Sequence, residues 1–384
     1  MKKYFVLETL DDVIIGSSNA AAFSAQTLDY IPGSAVMGAV CSLYGKKDLA
    51  ADTLNLFFQE NMTVFSDFLP LTSDGEETLP APMSIHYVKK TQAPFFNFLK
   101  KEVKDKEKQY KQVRGDNRTG SFAKYSPDKT VTARTAIDYA TNTAKTSALY
   151  NRDAIASGQR FLGYCDIPDT LEKGKRPANE NRTEDKIAKA RAEVFDVLQD
   201  GRILRIGAGR GSEYGRVLVH DVTAAMEELN KTRNEKLPDP GMPENGKRKL
   251  VLWCLSNAEF LDAVTSYDSP IPDNPAMLWA LARENIVPCF LPGESFVRTG
   301  KTRYYNNARG GLDSARVFVA RGSVLVYEYE YSGDEERLKT ILGNLQNEGC
   351  GLSRQLGFGR IMVNPDWISQ GMWCKWRLAE KLGT

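Results

Sequence analysis

The feature that most constrains this chain is a pattern it writes twice. Residues 207–219 read GAGRGSEYGRVLV and residues 349–363 read GCGLSRQLGFGRIMV. Each is Gly-x-Gly, a largely polar stretch, then aromatic-Gly-Arg and a run of strand formers. Gly215 and Gly359 stand 144 residues apart, about one domain length, so a duplicated domain explains the repetition. At 384 residues the chain exceeds the size at which one core keeps growing, which also points to two domains.

Glycines at this density allow positive φ and close approach of main chain. Two readings stand: tight turns between helix and strand, or a surface where consecutive amide N–H groups converge on an anion. Neither loop is a nucleotide fingerprint. The sixth position is Ser212 counted from Gly207 and Arg354 counted from Gly349, where Gly-x-Gly-x-x-Gly needs glycine. No Gly-Lys-Ser/Thr follows, and both loops run from helix into strand, the reverse of a phosphate loop. A ribose-phosphate backbone, with one anion per nucleotide, suits a twice-repeated charged turn better than a single nucleotide. The RNA-contact candidates are Gly207, Gly209, Arg210, Gly211 and Arg216 in the first loop. In the second they are Gly349, Gly351, Arg354, Gly359 and Arg360.

Periodicity supplies the elements around the loops. YFVLETLDDVII near the start reads as a strand. Pro32-Gly33 marks a turn, and Ser34 opens a helix carrying Val36, Val40, Leu43 and Tyr44, whose N-terminus offers amides and a dipole to an anion. The C-terminal half runs strand (LVLWCLS), helix (276–284), a hairpin turning at Arg321-Gly322, an amphipathic helix with Leu338, Ile341, Leu342 and Leu345, then glycine loop and strand. That order is βαββαβ, and the N-terminal half repeats it, swollen by insertions. The expected fold class is α+β: two tandem ferredoxin-like, RRM-like domains. The first covers 1–234, with a basic insertion at about 89–132 and a charged one at about 168–191. A Pro- and Gly-rich linker covers 235–249, and the second domain 250–384.

A net charge of +2 does not announce a polyanion binder, but its distribution is uneven. Residues 89–118 hold ten Lys or Arg against four acids, either a solvated face or an arm lying along phosphates. The segment 302–311, TRYYNNARGG, interleaves Arg303, Tyr304, Tyr305 and Arg309 with amides, a composition suited to clamping a nucleotide or to an ordinary polar loop. Six dispersed cysteines and two histidines lack the paired spacing of a structural zinc site, so no metal and no cofactor is expected. No apolar run reaches the roughly 20 residues of a membrane span, and the alternating start offers no secretory core; a cytoplasmic protein is expected.

TLDYIPGSAVMGAV, FSDFLP, LPAPMSI, LGYCDI, RIGAGRGSEYGRVLV, VLWCLS, RGSVLVYEY and GCGLSRQLGFGRIMVNP occur in this order from residue 27 to 365. In them the chain resembles the RAMP superfamily of CRISPR-associated proteins, and specifically the large RAMP subunit of type III-D effector complexes. The resemblance implies a non-catalytic subunit that grips the repeat-derived 5′ tag of CRISPR RNA. It would join the large signalling subunit to the backbone RAMP subunits and meet target RNA indirectly. The family's basic residue after PGSA-aliphatic is Met37 here, leaving Gly33 and Ser34 at the helix N-terminus as the anion-binding candidates. The alternative is a RAMP endoribonuclease, processing CRISPR RNA or cutting target RNA. His86 and His220, or a loop aspartate such as Asp67 or Asp138, would then do the chemistry, although no paired constellation is legible.

Overall fold

The computed structural model describes residues 1–16, 24–44, 63–91, 95–99, 108–138, 140–167, 184–211, 213–232, 237–303, 305–306, 311–312 and 314–365. These form a mixed, sheet-rich α/β structure in two compact units. The described parts of Met1–Gly75 and Ser126–Met226 make the first; those of Glu76–Tyr125 and Glu227–Glu380 make the second.

In the first unit, strand Lys2–Thr9 takes the centre of the sheet because Phe5, Val6 and Leu7 bury both of its faces. It pairs antiparallel with Arg160–Asp166 on one side and Arg216–Asp221 on the other. Val64–Phe65 and Leu69–Pro70 lie beyond the first neighbour, and Ile203–Arg205 beyond the second. Helix Gly33–Tyr44 contributes Val36, Ala39 and Val40, and helix Glu184–Val197 contributes Val194 and Val197, to a core with Phe5, Leu7, Phe161, Val217 and Val219. Each of the Val, Leu and Phe side chains contributes roughly 1.5–3 kcal/mol by leaving water.

The second unit repeats the strand order. Lys247–Cys254 is central, between Val324–Glu330 and Ile361–Val363, with Cys289–Phe290 at the far edge. Numbered along the chain, the four principal strands stand 4-1-3-2 in both sheets, with a helix after strand 1 and another after strand 3. Helix Glu335–Glu348 is set by Asp334, whose carboxylate accepts from the Arg337 amide, and it buries Leu338, Ile341, Leu342 and Leu345 as the periodicity requires. Between strands 2 and 3 each unit carries a hairpin: Lys129–Asp138 with Thr143–Ile155 in the first, and Thr299–Thr302 with Arg316–Val319 in the second.

Three sequence expectations differ from this. The basic insertion does not belong to its neighbours in sequence: Glu76–Tyr125 is part of the second unit. There, Met83 N–H donates to the Gly322 carbonyl at 2.8 Å, and a Cβ on Gly115 would sit 2.6 Å from the Arg321 carbonyl oxygen. The strands flanking Arg321-Gly322 are not paired with each other, because Arg316–Val319 finds its partner upstream in Thr299–Thr302 while Val324–Glu330 joins the main sheet. The expected linker is also shorter: strand begins at Lys247, and Asn364 reaches the Asp239 carbonyl at 2.7 Å, so this segment packs on the second unit. Residues 168–183 of the charged insertion lie outside the described residues.

Candidate functional site

The first glycine loop is open. Gly207 and Gly215 have φ of 83° and 88°, and an added Cβ would collide with the carbonyl oxygens of Ile14 and Ile206 respectively, so both positions require glycine. Ala208 N–H donates to Ile14 and Gly215 N–H to the Asp12 carbonyl, both at 2.9 Å, which fixes the ends of the turn. Between these anchors Ala208, Gly209 and Gly211 face solvent, and no atom lies within 4 Å of a Cβ built on Gly211.

Four arginines surround that surface. Arg205 is exposed and donates to the Arg210 carbonyl at 2.7 Å, stiffening the bend. The Arg210 guanidinium makes no hydrogen bond or ion pair among the described residues. Arg216 is committed: it grips Asp11 through two hydrogen bonds at 2.7 and 2.8 Å, and this bonding holds the Asp11 carboxyl below the usual carboxylate range. Arg134, from the Lys129–Asp138 strand, lies over the Tyr214 ring at 5.4 Å, donates to its hydroxyl at 3.0 Å and pairs with Glu213. Arg134 and Asp11 were not legible as site members, because the elements that carry them are joined to the loop by pairing the sequence does not display.

The second loop has a different structure despite its matching letters. Gly349, Gly351, Gly357 and Gly359 are all buried. Added Cβ atoms on Gly349, Gly351 and Gly359 would meet the carbonyls of Gly359, Glu259 and Cys350. Its amides are spent internally: Gly349 on Leu345, Cys350 on Gly359, Gly351 on Met277, Leu352 on Glu259 and Gly359 on Asn257. The expected open anion cradle is therefore absent here, and the physical reason is main-chain packing that uses the same glycine freedom. Arg354 is 7% exposed and folds back against Gly349 and Gly359, with its Nε buried and without a partner. Arg360 is half-buried. Beside them Glu259, 3% exposed, accepts from the Ser353 hydroxyl and from Arg316 Nη1 at 3.1 Å, tying the loop to the foot of the hairpin.

The helix N-terminus is also occupied. Gly33 N–H donates to Asp67 Oδ1 at 3.1 Å, both groups are buried, and a Cβ on Gly33 would strike the Phe65 carbonyl. The chain's own carboxylate takes the place proposed for an external anion, with Ser34 half-buried next to it. Arg303 is exposed at the end of the second hairpin; Tyr304, Arg309 and the Tyr305 side chain lie outside the described residues.

The residues considered for cleavage each hold a place in the fold. His86 stacks on Phe98 at 4.0 Å, its Nδ1 3.1 Å from the Ser84 carbonyl. His220 Nε2 meets Glu8 Oε2 at 2.9 Å across neighbouring strands. Asp67 caps the helix, and Asp138 accepts from the Ala140 amide at 2.9 Å in the hairpin turn. Among the described residues no three His, Cys, Asp or Glu side chains cluster as metal ligands would, and no helix is long and apolar enough to cross a membrane. Burial raises the thiols of Cys165 and Cys254 and pushes those of Cys41 and Cys350 up to about 12.

Among solved structures the chain is similar to a chain in the cryo-EM structure of the Type III-B Cmr-beta complex bound to cognate target RNA. Identity is 13%, coverage 94% of this chain and 96% of that one, and the TM-score 0.45. In a second structure of that complex, bound to cognate target RNA and AMPPnP, the values are 13%, 98%, 100% and 0.46. No curated protein matches the chain. The family model for the RAMP superfamily matches residues 6–217, more than half of the length, and the protein belongs to that superfamily.

Proposed function

We propose that this RAMP protein is a CRISPR RNA-binding subunit of a type III ribonucleoprotein effector complex, built from two ferredoxin-like domains and not itself a nuclease. The observation that carries the reading is the outward-facing turn Gly207–Gly211. It presents solvent-exposed glycines and the guanidinium of Arg210, which pairs with no described residue, with Arg205 alongside, in a chain of the RAMP superfamily. Such a surface neutralises phosphates without discriminating bases. The shared 4-1-3-2 strand order supports the tandem-domain assignment.

The finer assignment is to the repeat-derived 5′ tag, with the protein joining the large signalling subunit to the backbone subunits. It rests on the ordered sequence signatures spread over both units. Lack of catalysis is supported by the structural engagement of Asp67, Asp138, His86 and His220.

The test is binding of purified protein to RNA carrying the tag, with and without magnesium, across a salt series. Intact RNA in a shifted complex is expected, and Arg205→Ala with Arg210→Ala should flatten the salt slope by about 1.4 units, the value for two lost phosphate contacts. Cleavage products, or an unchanged slope, would contradict the assignment.

A further inference from the structure

The segment Glu76–Tyr125 carries chemistry that the glycine loop does not use. Three short strands, Phe95–Asn97, Ile85–Val88 and Tyr110–Gln112, form an antiparallel sheet with Ile85–Val88 in the middle. Tyr87 stands in register with Phe95 on one side and Lys111 on the other, so these three side chains leave the same face. The opposite face carries His86, which packs on Phe98 and, at 5.7 Å, on Phe296 of the same unit. The Tyr87 face is therefore the outer one, and Phe95 is 44% exposed on it.

That face is aromatic and cationic together. The Phe95 ring meets Tyr87 at 6.1 Å and Phe122 at 4.7 Å, edge to face, and the Arg118 guanidinium lies 5.0 Å from the Phe122 centroid. Residues 85–125 hold eleven Lys or Arg, Lys111 and Arg118 among them, against four carboxylates. One of these carboxylates, Asp116, pairs with Arg118 at 3.1 Å. Exposed rings on a face whose segment is rich in lysine disfavour an apolar protein partner and fit a polyanion whose units have flat faces.

We infer that the Tyr87–Phe95–Lys111 face is a stacking platform for single-stranded RNA, separate from the Gly207–Gly211 turn and indifferent to base sequence. A base lies against the exposed Phe95 ring while Lys111 and the neighbouring lysines take the adjoining phosphates. The inference rests on the RNA-binding reading above and adds a second contact surface to it.

The test compares full-length wild type, the Tyr87→Ala/Phe95→Ala double variant, Phe95→Tyr and Arg210→Ala. Each is titrated with a labelled 15-nucleotide oligouridylate and with a 15-base-pair RNA duplex, thermal melting checking the fold of each. The double variant should bind oligouridylate about tenfold or more weakly and bind duplex as wild type does, because paired bases have no free face. Phe95→Tyr should bind as wild type. An unaltered oligouridylate affinity in a folded double variant overturns the platform while leaving the RNA reading intact. Equal losses on both probes overturn stacking, because a duplex offers no free base face for the rings to lose. Failure of the wild type to bind either RNA overturns both readings at once.

Discussion

Gly33 and Asp67, 34 positions apart, meet through a hydrogen bond of 3.1 Å from the amide at the start of the first helix to a carboxylate that is 4% exposed. The contact satisfies an orphan helix amide and a buried charge together. Asp67→Ala should cost about 1–3 kcal/mol in urea unfolding, whereas Asp67→Asn, which retains an acceptor, should cost less than half of that. If Asp67→Asn left stability untouched but abolished an RNA cleavage activity, the capping role would be displaced by a catalytic one.

The glycines of the first loop separate by position. Gly215→Ala places a side chain at φ 88° against the Ile206 carbonyl and should destabilise by at least about 1 kcal/mol. Gly211→Ala enters open space and should melt as wild type does. Differential scanning calorimetry of the two variants distinguishes structural glycine from surface glycine.

Arg216 and Asp11 link stability to pH. Asp11 titrates below its ordinary value because Arg216 bonds to its charged form. The stabilisation is therefore present above the unfolded carboxyl's pKa, near 3.8, and is lost as pH falls through the lower folded value. Asp11→Asn should reduce the acid-side loss of stability below about pH 4, by a small amount since the pair is partly solvated. It also releases Arg216 at the rim of the open turn, so the salt slope for single-stranded RNA should steepen by about 0.7. Parallel urea titrations at pH 3 and 7 and a salt series on the same variant measure both.

Glu259 anchors the closed loop. Removing its carboxylate by Glu259→Ala strands Ser353 and Arg316 and should cost about 3 kcal/mol, the lower end for a broken buried pair because Arg316 remains partly hydrated. Loss of less than 1 kcal/mol in equilibrium unfolding would mean that the loop is held by its main-chain bonds alone.

Thiol labelling reports burial independently. Cys289 is exposed while Cys165, Cys254 and Cys350 are buried, so mild alkylation at pH 8 should modify Cys289 and reach those three only in denaturant. Peptide mass spectrometry reads each site separately.

Helix Glu335–Glu348 was legible because the spacing of Leu338, Ile341, Leu342 and Leu345 is a local property of one element. The pairing of Arg316–Val319 with Thr299–Thr302 was not, since alternation reveals that a segment is a strand and not which strand it joins. The twin loops mark the same boundary. Positive φ serves an anion cradle and a packed crossing of main chains equally, so the glycines alone do not discriminate. The residues between them do: Arg210 and Glu213 interrupt the open turn, whereas Cys350, Leu352, Leu356 and Phe358 interrupt the closed one. The aromatic face is not legible in the basic run, because its rings come together only when Tyr87 and Phe95 fall into register.

The lodging of Glu76–Tyr125 in the second unit also sets an order of events at the ribosome. The described strands of the first unit are complete once residue 221 has emerged, but Glu76–Tyr125, which interrupts that unit in sequence, must wait for the turn at Gly322, about a hundred residues later, before Met83 and Gly115 find their places. Until then the segment lacks the neighbours it packs on, so the two units reach completion in order, the first before the second.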